Sequence, residues 1–417
     1  MKRFVLLILL LAMALSMTGC LTVTGGNDQP DELPPEEQHL TADVDETEVW
    51  HRRHDDVWSG QDEPELVSRD FERISGAAAN GMTVGQELLL DFMDCYYQSI
   101  SQLRVIDPAD LFAEPKEVAY HKTIWHDLCV IRKLSPIDLT MTSYSYALRC
   151  VSITPSEETE GDVDMVLRES NVTYFAGLNG IPSEQFGIKH TFTLRGVGDR
   201  WLIVRHWSDD NAYYSADYDE ETQQDRNFPA ITDYIQARRE LPRDEQVSAT
   251  AAHPYDRAAA RQYMLSYVGK RNGDFKAYDD YGGNCMNFGS QVLLSGGIPM
   301  DTSGGYETGW YWYSASQTTL PWVNVGWFLE YAAAEREHGL VAVVNALYFT
   351  GETGDIITMG VEEPANHTTV ILDTIKDENG AVVDYLLCSN TADLRNFPAS
   401  AYYYTNRQLT KIIGWND

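Results

Sequence analysis

Tyr281-Gly-Gly-Asn-Cys-Met-Asn-Phe-Gly-Ser-Gln-Val-Leu-Leu-Ser-Gly-Gly297 sets one cysteine at the start of a helix bounded by two glycine pairs. Gly282 and Gly283 permit a sharp turn, Asn284 suits an N-cap, and Gly296-Gly297 supplies the stop. Cys285 is therefore expected in the first helical turn. There the helix dipole and unpaired N–H groups favour a thiolate and can hold an oxyanion. A nucleophile fits this position, and so does a buried structural thiol, since free cysteine is a common core residue. Tyr281, just upstream, either donates to such an oxyanion or packs.

A nucleophilic cysteine needs a base, and residues 251–417 contain three histidines, His253, His338 and His367. His253 sits beside Pro254, and His338 is read as ending a charged helix in Ala332-Ala-Ala-Glu-Arg-Glu-His-Gly339. His367 opens an apolar strand after a polar loop, which would hold its ring at a sheet edge. Residues 367–390 read as a hairpin: strand 367–376, loop Asp377-Glu-Asn-Gly380, strand 381–390. With Lys376 facing Ala381, His367 falls opposite Asn390 as a cross-strand pair, although a slip of one residue would separate them. On that register Asn390 would orient the imidazole as the third member of a Cys-His-Asn triad.

The blocks Tyr255-Asp-Arg-Ala-Ala-Ala-Arg-Gln-Tyr263, Gly282 to Gly297, Gly354-Asp-Ile-Ile357, His367-Thr-Thr-Val-Ile371 and Ser389-Asn-Thr-Ala-Asp-Leu-Arg-Asn396 resemble the bacterial putative amidase domain family. That family is a branch of papain-like cysteine hydrolases similar to CHAP and NlpC-type cell-wall enzymes. The resemblance covers about residues 253–416. It implies an α+β fold with the cysteine helix packed on an antiparallel sheet, Cys285 as nucleophile and His367 as base. The chain departs from the family pattern in having Asn284 where Asp is usual and Asn390 where His is frequent. Asp355 in Gly354-Asp-Ile-Ile357 is read as capping a turn. No carboxylate and histidine set has metal spacing, so no cofactor is expected. The stretch Tyr306 to Ser316, with Trp322 and Trp327, either lines a substrate groove or packs in the core.

Upstream the period changes. Apolar residues at three and four spacing, such as Leu88, Leu89, Phe92, Met93, Tyr96 and Tyr97, predict helices up to about 134. Segments 139–153, 163–177, 187–194 and 200–207, rich in Thr, Tyr, Val and Ile, predict an antiparallel meander. The fold class expected is therefore α+β in two domains: an N-terminal helix-plus-curved-antiparallel-sheet domain over 66–245 and the papain-like domain over 253–417. His190 and His206 on strand patterns are read as structural, and Cys95, Cys129 and Cys150 leave room for one disulfide.

The first residues carry a basic pair, Lys2-Arg3, then an apolar run and Met17-Thr-Gly-Cys20, the anatomy of a secretory signal whose end resembles a bacterial lipobox. Residues 1–19 are thus expected to be a lipoprotein signal peptide, with Cys20 lipidated on the outer face of the cell membrane. Residues 20–65 hold 14 acidic side chains against Arg52 and Arg53 and read as a solvated tether, and His51 and His54 within it as exposed. The whole chain has 417 residues and a net charge of −32, which excludes an electrostatic nucleic-acid surface; its 43% hydrophobic content excludes disorder as a whole. Two functions from different classes fit: a membrane-tethered cysteine amidohydrolase acting on a cell-wall peptide, or a non-catalytic surface lipoprotein that binds cell-wall glycopeptide.

Overall fold

A computed structural model describes residues 49–53, 79–215, 218–219, 224–225, 233, 249–281, 283–360, 364–404 and 406–417. The segment read as a signal peptide, Cys20 as its expected lipidation position, most of the stretch read as a tether, the segment around the expected domain boundary and Gly282 lie outside the described residues. Strand β1, Val49–Arg53, falls within the stretch read as tether and pairs its backbone with an edge strand. Helices α1 (Ala79–Ser101) and α2 (Pro115–Lys133) come next. Pro115 stands in the first turn of α2, where its missing N–H costs nothing, and Arg132 and Lys133 meet the negative end of the dipole.

The meander is β2 (Met141–Pro155), β3 (Asp162–Phe175), β4 (Pro182–Val197) and β5 (Arg200–Ser208). A short helix, α3 (Asn211–Ser215), and the two-residue strands β6 (Tyr218–Asp219) and β7 (Gln224–Asp225) precede β8 (His253–Pro254). Helix α4 is Arg257–Tyr267 and α5 is Cys285–Ser295. Then come β9 (Trp312–Ser314), β10 (Gln317–Thr318), α6 (Leu320–Val323), α7 (Val325–Ala333) and β11 (Gly339–Ala346). The chain ends with β12 (Ile356–Gly360), β13 (His367–Lys376), β14 (Val382–Ser389), β15 (Asp393–Pro398) and β16 (Asn406–Asn416). Helix α7 stops at Ala333, short of His338. Arg336 folds back, its Nε donating to the Tyr331 carbonyl and its guanidinium lying 3.9 Å from the centre of the Tyr331 ring.

Helices and a large antiparallel sheet make this an α+β structure. The twelve-stranded sheet runs β1-β2-β3-β4-β15-β14-β13-β12-β16-β11, with β5 on β4 and β8 on β16. The two regions separated by the sequence pattern thus share one sheet through β15 and β4, where Asp393, Leu394 and Arg395 face Phe186, Gln185 and Glu184. Arg395 pairs with Glu184, and Asn396 Nδ2 donates to the Pro182 carbonyl at 2.9 Å. The described residues all belong to one unit spanning Asp45–Asp417.

Two cores lie on opposite faces of this sheet, and β13 shows why. Val370 and Leu372 join the cluster under α4, α5 and α7, whereas Ile371 joins the cluster under α1 and α2. Burial on both faces explains why His367 to Leu372 reads as unbroken apolar and threonine sequence rather than alternation. Among the described residues no helix is long and apolar enough to cross a membrane. Among the described residues no disulfide joins Cys95, Cys129 and Cys150, so the one allowed by the sequence is not formed there.

Candidate active site

Cys285 opens α5 as the sequence predicts, and the helix ends in the expected glycine stop. Ile298 N–H returns to the Leu293 carbonyl and Gly297 N–H to that of Leu294, with Gly297 at φ +91°, a left-handed helix end that glycine alone takes cheaply. The start differs from expectation in one respect. The Asn284 side chain makes no cap; its Oδ1 accepts from Tyr278 N–H at 3.1 Å and from Asn287 Nδ2 at 2.8 Å. The first N–H groups of the helix are thereby left to the sulfur: those of Cys285 and Met286, joined by Thr368 N–H from β13, point at it.

These donors favour the thiolate, yet burial prevails. Cys285 is 8% exposed, and desolvation pushes its thiol above the ordinary cysteine range despite the three N–H groups. The helix start therefore supplies an oxyanion site more than a preformed thiolate. His367, 6% exposed, is held down to about 4 by burial alone, so the imidazole is neutral at physiological pH. Among the described residues no hydrogen bond joins the Cys285 sulfur to the His367 ring. Thr368 faces α5, its hydroxyl 3.6 Å from the Met286 sulfur, while alternation turns His367 toward Tyr402 and Tyr404.

The hydrogen-bond partner of the His367 ring is Tyr402. Its hydroxyl lies 3.0 Å from His367 Nε2, both groups are buried, and Cys285 is near enough that a negative charge there adds to the upward push on the Tyr402 phenol. The cross-strand pair expected between His367 and Asn390 is not made. In β13 and β14 Lys376 pairs with Val382 and Val370 with Cys388, one residue out of the expected register, with bulges at Ile371/Asp373 and Ile375/Lys376. The turn takes up Ala381 as well, because Asp377 Oδ1 accepts from both Asn379 and Ala381 N–H. A one-residue slip moves a side chain to the other face.

Asn390 instead ties the cysteine loop to α4, donating through Nδ2 to the Lys270 carbonyl at 3.0 Å and the Tyr267 carbonyl at 3.2 Å. Its neighbour Thr391 accepts Asn284 N–H at Oγ1, and Ser389 Oγ donates to the Thr368 carbonyl at 3.2 Å. Gly283 passes beneath Thr391 at φ +119°; a Cβ there would stand 3.1 Å from Oγ1. The Ser389-Asn-Thr391 run therefore fixes the backbone before Cys285 against the strand that carries His367.

Other sequence features fall into place around this centre. Asp355 is fully buried, accepting from Glu352 N–H at 2.8 Å as a turn cap, and also from Ile412 N–H at 2.9 Å and Arg257 at 2.8 Å. Asp256 caps α4 through Ala258 and Ala259 N–H. Trp310 and Trp322 are core residues that brace α5, donating to Ser290 Oγ at 3.0 Å and Asn287 Oδ1 at 2.9 Å. Tyr281, Tyr306 and Tyr313 are exposed, with the Lys276 ammonium 4.1 Å from the centre of the Tyr281 ring. Among the described residues no group of three or more His, Cys, Asp or Glu could hold a metal ion.

Residues 254–413, the stretch around this centre, match the Putative amidase domain family. Over 145 residues the chain is also 32% identical to "Uncharacterized protein YhbB" of Bacillus subtilis (strain 168), a span that is 34% of this chain and 43% of that protein. The chain thus spans less than half the length of that relative. No solved structure matches. The matched stretch holds Cys285, His367, Asn390 and Tyr402. Of its central groups, Tyr402 escaped the reading of sequence; the run Tyr402-Tyr-Tyr404 near the chain end was its one visible sign.

A second buried cluster lies outside the matched domain. His190 and His206, read as structural strand histidines, form a chain with His121 of α2. His121 Nε2 meets His206 Nδ1 at 2.9 Å, His206 Nε2 meets His190 Nδ1 at 3.0 Å, and His190 Nε2 meets Glu169 Oε2 at 2.8 Å. The far end is fixed, since His121 Nδ1 must donate to the Glu117 carbonyl. Each link then carries one hydrogen, and a single proton is shared by His190 and Glu169. Burial holds His121 down to about 4 and pushes His206 well below the ordinary histidine range.

Proposed function

We propose that this protein is a cysteine amidohydrolase that cleaves an amide bond through a thioester on Cys285. The observation that carries the reading is Cys285 at a helix start whose N–H groups face its sulfur, in the same matched stretch as a buried neutral histidine held by Tyr402. The match of residues 254–413 to an amidase family supports the reaction class.

In this reading Nε2–H of His367 donates to the Tyr402 oxygen, which leaves Nδ1 with the lone pair that a base needs. His367 takes the thiol proton as the sulfur attacks the amide carbon. The N–H groups of Cys285 and Met286 meet the charge that develops on the carbonyl oxygen. The tetrahedral adduct collapses, the C–N bond breaks, and the amine leaves with the proton from the imidazolium. Water then adds to the thioester by the same base, and the carboxylic acid leaves as the thiol is restored.

The substrate we favour is a peptide stem of the bacterial cell wall, with the enzyme lipid-anchored through Cys20 on the extracytoplasmic face. The leader anatomy and the family resemblance support this assignment, and the exposed Tyr281, Tyr306 and Tyr313 suit sugar or peptide faces. Muropeptides and simple peptide amides incubated with the protein and with Cys285→Ala test it. Product must appear with the parent chain and vanish with the variant; no Cys285-dependent cleavage of either substrate class defeats the proposal.

A further inference from the structure

A small pocket lies between α1 and the sheet in the N-terminal half, lined by Tyr96, Tyr97, Glu169, Asn171, Gln185 and Asp210 among others. It has room for about one water-sized group. Hydrogen-bond accounting shows what is missing from it. Asn171, 3% exposed, spends its Nδ2 hydrogens on Glu169 Oε1 at 3.0 Å and Gln185 Oε1 at 3.4 Å. Both neighbours are acceptors, which fixes the amide orientation and leaves Asn171 Oδ1 buried with no partner. An unsatisfied buried acceptor is costly, so the pocket lacks a donor.

Asp210 lacks a cation as well. It is 8% exposed, its Oδ1 accepts from Ala212 N–H at 3.0 Å, and its Oδ2 has only the Gln185 amide at 3.3 Å. No ion pair is formed by Asp210 among the described residues, and burial pushes its carboxyl upward. Glu169, by contrast, is fully engaged by Tyr97, Asn171 and His190, and the His190–Glu169 pair is balanced by its shared proton. Arg132 is the guanidinium whose field reaches Asp210, but it does not line the pocket. Its Nη1 donates to the Met141 sulfur at 3.1 Å and its plane lies 5.3 Å from the Phe175 ring centre.

We propose that this pocket binds an ammonium group, as the free ion or as the head of a small primary amine, with Asp210 as counter-ion and Asn171 Oδ1 as second acceptor. A water molecule can donate to both acceptors but leaves the carboxylate without a counter-ion; an ammonium group donates to both and neutralises the carboxylate, and the Tyr96 and Tyr97 rings that line the pocket suit a cation. The site is separate from Cys285 and does not rest on the amidohydrolase reading.

Thermal unfolding of the full chain at equal concentrations of ammonium, methylammonium, tetramethylammonium and sodium chloride tests it. The midpoint is expected to rise saturably with ammonium or methylammonium, and with neither of the others. Asp210→Asn is expected to raise the half-saturating concentration at least tenfold. A response to ammonium alone identifies the free ion, and a stronger response to methylammonium identifies an amine head. Equal midpoints in all four salts mean that water fills the pocket and overturn the proposal. So does a tetramethylammonium effect as large as that of ammonium, because that ion has no N–H to donate. The comparison within the parent chain decides the matter even if Asp210→Asn does not fold.

Discussion

Replacing Tyr402 with Phe removes one hydroxyl and keeps the ring, so it isolates what the bond to His367 contributes. The ring packs edge-on against Phe397 at 5.4 Å and stacks on Tyr404 at 5.3 Å, contacts that phenylalanine retains. The lost bond is 3.0 Å long and buried at both ends, so Nε2–H of His367 would be left without a partner where water does not reach. Such a group costs about 1–3 kcal/mol, and it would be free to turn or change tautomer. At about 1.4 kcal/mol per factor of ten, kcat/KM should fall by roughly 5- to 150-fold. The position of the acid limb should stay. Burial, not Tyr402, sets the His367 value of about 4, so activity in Tyr402→Phe should still be lost only as pH falls toward that value. Rates of Cys285-dependent amide cleavage across pH 3.5 to about 8 measure both quantities, since kcat/KM reports the free enzyme. A plateau unchanged within about twofold would refute the reasoning, because a bond lost without cost did not hold the base. An acid limb moved into the ordinary histidine range would refute it as well.

Further predictions concern the thiol, the loop, the buried charges and acid stability. Alkylation of Cys285, located by peptide mass, should climb steadily into the alkaline range, because burial holds the thiol up; a plateau near neutrality would show a preformed thiolate. Gly283→Ala should destabilise the chain by about 1–3 kcal/mol and lower turnover, since the new methyl meets Thr391 at a positive φ; denaturant midpoints and rates check both. Arg257→Met leaves the fully buried Asp355 carboxylate without its cation and should cost about 3–5 kcal/mol, read as a fall in melting temperature. His121 and His367 protonate near 6.5 when unfolded but near 4 when folded, so their stability is complete above the higher value and declines as pH falls toward the lower. Between pH 6.5 and 5 each should remove about 2 kcal/mol, which urea unfolding at the two pH values measures directly.

Sequence carried the parts of the site that depend on neighbours along the chain. Glycines on both sides of residues 284–295 delimit a helix whatever surrounds it, so Cys285 at its start was legible, as was His367 at the head of an apolar strand. Helix α2 and the strands β2 to β5 were legible from period and turn residues in the same way. The pairing of His367 with Asn390 failed because register is a long-range quantity. One extra turn residue reversed the face, since the two bulges lie one on each strand and cancel, and no local propensity fixes the length of the turn.

Residues 281–297 by themselves determined that a thiol stands at a helix start with N–H groups nearby, because capping and glycine conformations are local. Tertiary structure alone decided its ionisation, since burial in the core under α4, α5 and α7 outweighs the N–H groups that face the sulfur, one of which comes from Thr368 of β13. It also chose Tyr402 as the partner of His367 and brought His121, His190, His206 and Glu169 into one chain. These pairings join residues that are unrelated in sequence, and only the packing of two helical layers on opposite faces of a shared sheet makes them neighbours.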